Sequence, residues 1–445
     1  MTPGQSIKMT CLVCTAILPC FFGHAQPVTR ISAGGGHSLF LKSNGSLWAM
    51  GENDFGQLGD GTYNNTNQPE QILGSGVAAI AAGGYHSLFL KSDGSLWAMG
   101  NNQYGQLGDG TTNNVNVPEQ IVASNVSAVA AGEYHSLFLK DDGSLWAMGL
   151  NASGALGDGT TNNSSVPEQI VAANVTAIAA GSFHSLFVKS DGSLWGMGAN
   201  FYYQLGDDTT TNRIQPERIL YNLAAAAAGG EFHSLFLRSN GSLDVAGNDT
   251  DGQLGSGTSN PSPNPYPIVA SNVTTIAAGR IHSLFLKNDG SLWVMGYNGV
   301  GELGDGTFNN TNRPEEIVAS NVVAIAGGHY HSLFVKNDGS LWAMGYNNYG
   351  QLGDGTNVLT KLPVRIVAGT PGYNRITIQL LTSGDVALSF VGIAGTNYSV
   401  DRAFNLSAAD WTPLTTNPAS GNGILVFTNT PDATTNNYWR IRQVP

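Results

Sequence analysis

Cysteine is nearly absent from this chain. Its 445 residues include three, Cys11, Cys14 and Cys20, all near the N-terminus. Past Cys20 nothing can form a disulfide, act as a thiol nucleophile or bind a metal through thiolate. Charge is scarce as well. Only 11% of residues are Asp, Glu, Lys or Arg, and the acids outnumber the bases 31 to 19, for a net charge of −12. No basic patch forms anywhere, which argues against a nucleic-acid partner. Long apolar runs are missing too. The best, Met9 to Phe22, falls short of the roughly 20 residues that a membrane helix needs, so no membrane-spanning segment is expected. Glycine, by contrast, occurs 58 times. Low charge with abundant Gly, Asn, Thr and Ser points to short strands and tight turns rather than helices.

Residues 1–25 read as a secretory signal peptide. Lys8 is their only charge, the apolar run follows it, and Gly23 and Ala25 place small residues before Gln26. Lipoprotein processing at Cys20 fits less well, because Pro19 stands where a small residue is wanted. The expectation is a secreted or cell-surface protein whose mature chain has no cysteine.

What the chain has instead is a repeat. The core His-Ser-Leu-Phe begins at His37, His86, His135, His184, His233, His282 and His331, with a constant spacing of 49 residues. An unbroken period over seven copies dictates a repeat architecture. Within one copy, Val126 to Ala131 reads as a strand of small and β-branched residues that suits a crowded inner position. His135 to Lys140 is a second strand, and Asp142-Gly143 a two-residue hairpin turn with positive φ at both positions. Ser144 to Met148 is a third strand. Pro167 to Val171 is a shorter fourth, with proline at its start. Four short antiparallel strands in each of seven units predict a seven-bladed β-propeller over residues 28–368. Trp48, Trp97, Trp146, Trp195, Trp293 and Trp342 recur in one register and are expected to wedge between blades, whereas Asp244 takes that place in the fifth copy. The fifth blade is therefore expected to be the loosest.

The blocks Gly-x-x-His-Ser-Leu, Asp-Gly-Ser-Leu-Trp-x-Met-Gly and Asn-x-x-Gly-Gln-Leu-Gly-Asp-Gly, followed by a proline-led strand, resemble the repeat of the regulator of chromosome condensation (RCC1) family. The resemblance spans Val28 to Ala368, and it implies the same seven-bladed ring. The family's name-giver is a guanine-nucleotide exchange factor on chromatin. That activity is not carried over to an acidic chain that reads as exported and lacks a basic tail. Similar propellers that serve as secreted protein-binding modules fit this chain better.

Seven histidines in one register invite a metal reading. Equivalent atoms on neighbouring blades lie too far apart to share a ligand distance of ~2 Å, so each His is expected to hydrogen-bond backbone of the next turn or blade. The Asp-Gly-Thr-Thr-Asn-Asn runs, such as Asp109 to Asn114 and Asp158 to Asn163, offer oxygen atoms at alternate positions. They read as ordinary turns, with calcium the open alternative. No nucleophile–base set, phosphate loop or acid pair stands outside the repeat, so a non-catalytic protein without cofactor or metal is expected.

Positions shared by every copy serve the blade, and those that vary are free for recognition. One variable set precedes each His: Tyr85, Glu133, Tyr134, Phe183, Glu231, Phe232, Arg280, His329 and Tyr330. A second set follows the third strand and is read as a separate candidate face: Phe55, Tyr104, Phe201, Tyr202 and Tyr349. Mixed charge among aromatics suits protein binding. Copies four and five also break local rules, through Asp208 and the run Pro261 to Pro267. Past Pro371 the period stops. Residues 373–445 read as a small β-sandwich with strands near Arg375–Leu381, Val386–Val391, Asn397–Asp401, Gly423–Thr428 and Tyr438–Arg442. Its Trp411 and Trp439 could serve a polysaccharide ligand. The functional expectation is a monomeric, exported protein that binds a protein partner, with polysaccharide binding at the cell surface as the alternative.

Overall fold

The computed structural model describes residues 26–221, 223–228 and 230–370, and six strands beyond them. The proposed signal peptide lies outside these residues. So do Trp411 and the side chain of Trp439. Among the described residues there is no helix.

Seven four-stranded antiparallel sheets follow one another, each built from consecutive strands. In the first blade these are β1 (Val28–Ala33), β2 (His37–Lys42), β3 (Leu47–Gly51) and β4 (Thr66–Leu73). Inner strands touch the inner strands of both neighbours, and the first blade's inner strand touches the seventh's. The ring therefore closes between whole blades, with no strand exchanged. Small residues in the inner strands allow this convergence.

Two local expectations need correction. In the Asp142-Gly143 turn only Gly143 has positive φ, at +75°. Gly143 N–H donates to Lys140 O, and Lys140 N–H to Ser144 O. This is a three-residue loop with its glycine at the left-handed position. Asp142 Oδ1 accepts the Ser144 N–H (2.9 Å), and Trp146 Nε1–H donates to Ser144 Oγ (2.9 Å). The aspartate thus caps the turn instead of bending it. The outer strand, in turn, is the longest of the blade. It runs Ser164–Val171, with Pro167 inside it at a register break opposite the third strand. Proline is tolerated there because the strand is an edge and the break needs no N–H.

The inter-blade core is built on phenylalanine rather than tryptophan. Phe138 and Met148 of the third blade enter a cluster with Leu88, Leu90 and Leu96 of the second. Trp146, half-buried, stacks on Phe138 (6.0 Å, 8°) and lies under the Lys140 ammonium (4.1 Å). The same triple recurs at Trp48, Trp97, Trp195, Trp293 and Trp342. In the fifth blade Asp244 replaces Trp and Arg238 replaces Lys. Their side chains pair at 2.5 Å, with Asp244 2% exposed. Ala246 replaces methionine, and the cluster with the fourth blade is smaller. A paired exchange thus gives the buried Asp244 Oδ2 a cationic partner where apolar packing thins, although Asp244 Oδ1 is left without a hydrogen bond.

Each ring histidine bonds a serine side chain of the following blade rather than backbone. His37 Nε2 meets Ser87 Oγ at 2.9 Å, and the pattern repeats for His86–Ser136, His135–Ser185, His184–Ser234, His233–Ser283 and His282–Ser332. His331–Ser38, at 2.9 Å, closes the circle. Each serine hydroxyl also bonds a backbone carbonyl, as Ser87 does with Gln57 O at 2.7 Å. A hydroxyl has one proton. If it goes to the carbonyl, the hydroxyl accepts from the imidazole, and Nε2 carries the hydrogen of a neutral ring. Burial pushes these histidines down, to about 3 for His37, His86, His184, His282 and His331 and to about 4 for His135 and His233. A glycine three residues earlier makes room for the rings of His37, His86, His135, His282 and His331: a Cβ on Gly83, for example, would sit 2.4 Å from His86 Cε1 and 2.5 Å from Gly132 O.

Beyond the ring, two three-stranded antiparallel sheets form. The strand Thr412–Pro418 was not expected from the sequence. It is an edge strand, and prolines at both its second and last positions hide its pattern.

Two predictions follow from this frame. The unfolded chain protonates each histidine near pH 6.5, whereas the folded ring holds them neutral until about pH 3 to 4. Stability is therefore fully present above pH 6.5 and falls as pH drops, by about 1.4 kcal/mol per pH unit for each ring histidine. Glu52, Glu133, Asp249 and Glu302, which burial pushes up, act in the opposite sense but are fewer. Urea denaturation at pH 7.5 and pH 5.0 should show a large loss of midpoint, and equal midpoints would contradict the neutral ring. Secondly, Arg238→Ala should destabilise by about 3 kcal/mol, because it strands a buried carboxylate. The double change Arg238→Lys, Asp244→Trp should restore the pattern of the other blades, with stability near that of the parent by the same measurement.

Candidate functional site

In an antiparallel meander the connections from first to second strand and from third to fourth leave at the same end. The residues before each His lie on the first kind, and those after each third strand lie on the second. The two variable sets are accordingly one surface, not two candidate faces. Phe55 packs edge-on against Tyr85 (5.5 Å) and Tyr104 against Tyr134 (5.2 Å), and Tyr202 packs against Phe232 at a tilt of 44° (4.4 Å). Tyr349 joins Tyr330 through Tyr346. Tyr85 stacks on Tyr134 (5.6 Å, 27°) and meets His329 edge-on (6.3 Å), which carries the belt across the seam of the ring.

At the centre of this face, glycine and alanine of the inner strands surround a mouth of only about 70 Å³. Arg280 crosses its rim. It bonds Glu231 Oε2 through Nε and Nη2, both at 3.0 Å, and donates from Nη1 to Tyr330 Oη (2.9 Å). Burial pushes up the Tyr85 and Tyr134 hydroxyls and Glu133. Burial, reinforced by Arg280, holds His329 down at about 4.

Two hollows flank the mouth, and each lies where a copy lacks a side chain. The larger, about 570 Å³, lies over the third and fourth blades. Its floor is His135, Ala152, Ser153, Ala155 and Ala199; its walls include Leu150, Phe183, Phe201, Tyr202 and Phe232. Ser153 stands where the second copy has Tyr104 and the fourth Tyr202, and Ala155 where the six other copies have Gln or Glu. These small residues are the signal that sequence reasoning missed. Phe201 and Tyr202 are 58% and 43% exposed. The second hollow, about 380 Å³, spans the sixth, seventh and first blades. It is walled by Tyr297, Tyr330, Tyr346 and Tyr349, with Glu52 and Arg280, and it opens where Gly36 replaces the aromatic or isoleucine of other copies. Tyr297 and Tyr346 belong to the site although the sequence reading passed over them.

The other marked irregularities are structural. Asp208, at φ +63°, donates its N–H to Pro263 O, as Gly159 does to Ile214 O in the preceding blade. The Asp-Gly-Thr loops are internally committed: Asp109 accepts from Asn102 Nδ2 and from Thr111 N and Oγ1. In the fifth blade, Asp249 and Ser256 replace the Asn and Asp of this bond and preserve it at 2.7 Å. Among the described residues no group of three or more His, Cys, Asp or Glu is arranged to hold a metal.

A family model described as the RCC1-like domain matches residues 13–322, and models of the RCC1 repeat match residues 322–351 and 338–381. Human WBSCR16 is similar in structure, at 28% identity over 69% of this chain and 86% of its own, with a TM-score of 0.63. Yeast RCC1 (Prp20), solved bound to Kap60, is 20% identical over 83% of this chain and 91% of its own, with a TM-score of 0.66. Prp20p of Saccharomyces cerevisiae, solved in a study of its binding to Gsp1p and histones, is 21% identical over 78% and 87%, with a TM-score of 0.65. A match over more than half the chain, together with seven blades built on the repeat, establishes that this protein belongs to the RCC1-like domain family.

Proposed function

We propose that this protein is an exported, non-catalytic binding protein that grips a protein partner with the aromatic face of its propeller. The observation that carries the reading is the hollow of about 570 Å³ on that face. It is walled by aromatics, of which Phe201 and Tyr202 are exposed, and its floor includes Ser153 and Ala155, where every other copy has a larger residue. Apolar hollows ringed by aromatics are where a partner's anchoring side chain gains most. That the solved relative Prp20 is bound to Kap60 supports a binding role. The non-catalytic part rests on commitment: ring histidines, serines and loop aspartates all serve bonds within the fold. Export rests on the order of residues 1–25, in which one charge is followed by an apolar run and then by small residues.

Two outcomes are expected. Secreted protein should begin at Gln26 by N-terminal mass spectrometry, and an intact Met1 would refute export. The chain 26–445 should also retain a protein from native secretions that the double variant Phe183→Ser, Phe232→Ser loses. Ala155→Gln, which restores the side chain of the other blades and fills the hollow, should lose it as well, while its urea midpoint stays within about 1 kcal/mol of the parent. Retention of the partner by both variants, or capture of a polysaccharide instead, would overturn the reading.

A further inference from the structure

Glu52 is an acid that the architecture does not use. It is 6% exposed, and no described residue donates a hydrogen bond to its carboxylate. Its position holds Asn, Leu, Ala or Tyr in the six other copies. A Cβ on Gly36 would sit 2.2 Å from Glu52 Oε2 and 3.1 Å from Tyr349 Cδ2. The carboxylate therefore reaches into room that the other copies fill with a large side chain, at the edge of the tyrosine-walled hollow. Burial, together with nearby Asp54, pushes it up to about 7, as expected of a carboxylate that lacks a counter-charge.

The walls have a matching character. Tyr297 and Tyr330 meet at 65°, Tyr330 and Tyr346 at 68°, and Tyr346 and Tyr349 at 72°, with ring centres 6.0 to 6.4 Å apart. Successive rings stand as the walls of a box, whereas a sugar stacks best on a flat platform. A box of electron-rich rings beside one carboxylate attracts a cation, above all one that sheds its water easily. The cation already present does not meet that need. Arg280 is committed to Glu231 and to the Tyr330 hydroxyl, and so fixes one wall.

We propose that this hollow binds a methylated ammonium group, with Glu52 as counter-charge and Tyr297, Tyr330, Tyr346 and Tyr349 as its aromatic walls. A methylated lysine on a protein and a small choline-like molecule share this chemistry. The site stands without the partner proposed above, because the purified chain suffices to test it, and either reading can fail alone.

The test is calorimetric titration of the purified chain with tetramethylammonium chloride and, as its neutral counterpart of the same shape, tert-butanol. Tetramethylammonium should bind at least about tenfold more tightly than tert-butanol, and Glu52→Gln and Tyr346→Leu should each weaken it about tenfold. Urea denaturation of both variants confirms that they are folded. Parallel titrations with choline and with peptides carrying trimethyllysine or plain lysine identify the source: either methylated ligand outranking plain lysine supports the site. Absence of tetramethylammonium binding, equal binding of tert-butanol, undiminished binding by folded Glu52→Gln, or binding of a neutral oligosaccharide in its place would overturn it.

Discussion

The circle of His–Ser contacts is the constraint on which the rest of the structure depends. It places a polar bond in every blade junction at full burial, where an unmade bond would be costly. Each serine must give its proton to a loop carbonyl and take one from the imidazole of the preceding blade. That requirement fixes the histidine tautomer, the glycines packed against the rings of His37, His86, His135, His282 and His331, and the loop that follows every third strand. It also sets the seam between first and seventh blades by the same bond as the junctions between consecutive blades. Apolar packing adds bulk around this circle, with one phenylalanine sealed into each junction.

Departures from the repeat then fall into two kinds. Some come in compensating pairs. Arg238 with Asp244, and Asp249 with Ser256, exchange both partners of a contact and keep the contact. Others are single losses with nothing to replace them. Gly36 and Ala155 each remove a side chain that most copies have, and a hollow stands at each. A scaffold under selection for stability alone would refill such space, since voids cost dispersion contacts. Both hollows lie on one face, and aromatic residues wall both.

The ring was legible from the constant spacing of 49 residues, because a repeat without slippage leaves no other way to bury both sides of each sheet. Most strands could also be read directly. What could not be read was partnership. Ser87, Ser136 and their equivalents stand beside each histidine in the sequence, yet each bonds the histidine of the preceding copy, 50 residues away. Identical copies conceal such an offset, because every assignment between copies looks the same in the sequence. The division of Tyr85, Tyr134 and Phe232 from Phe55, Tyr104 and Tyr202 into separate faces failed for a different reason. Strand direction places both loops at one end, and this follows from antiparallel order alone. The hollows were harder to foresee, because they are marked by what is small, as at Ser153 and Gly36, while the eye is drawn to Phe201 and Asp208.

The ring also has a back. Val28 N–H donates to Gly339 O and Thr370 N–H to Asp338 O, so the chain enters and leaves the propeller on one and the same hairpin of the last blade. That hairpin lies at the end opposite the aromatic belt. Val28 and Thr370 thus both leave the ring at the end away from the aromatic belt. A protein held to a surface by either terminus would present its aromatic face outward, as a dish on a stem.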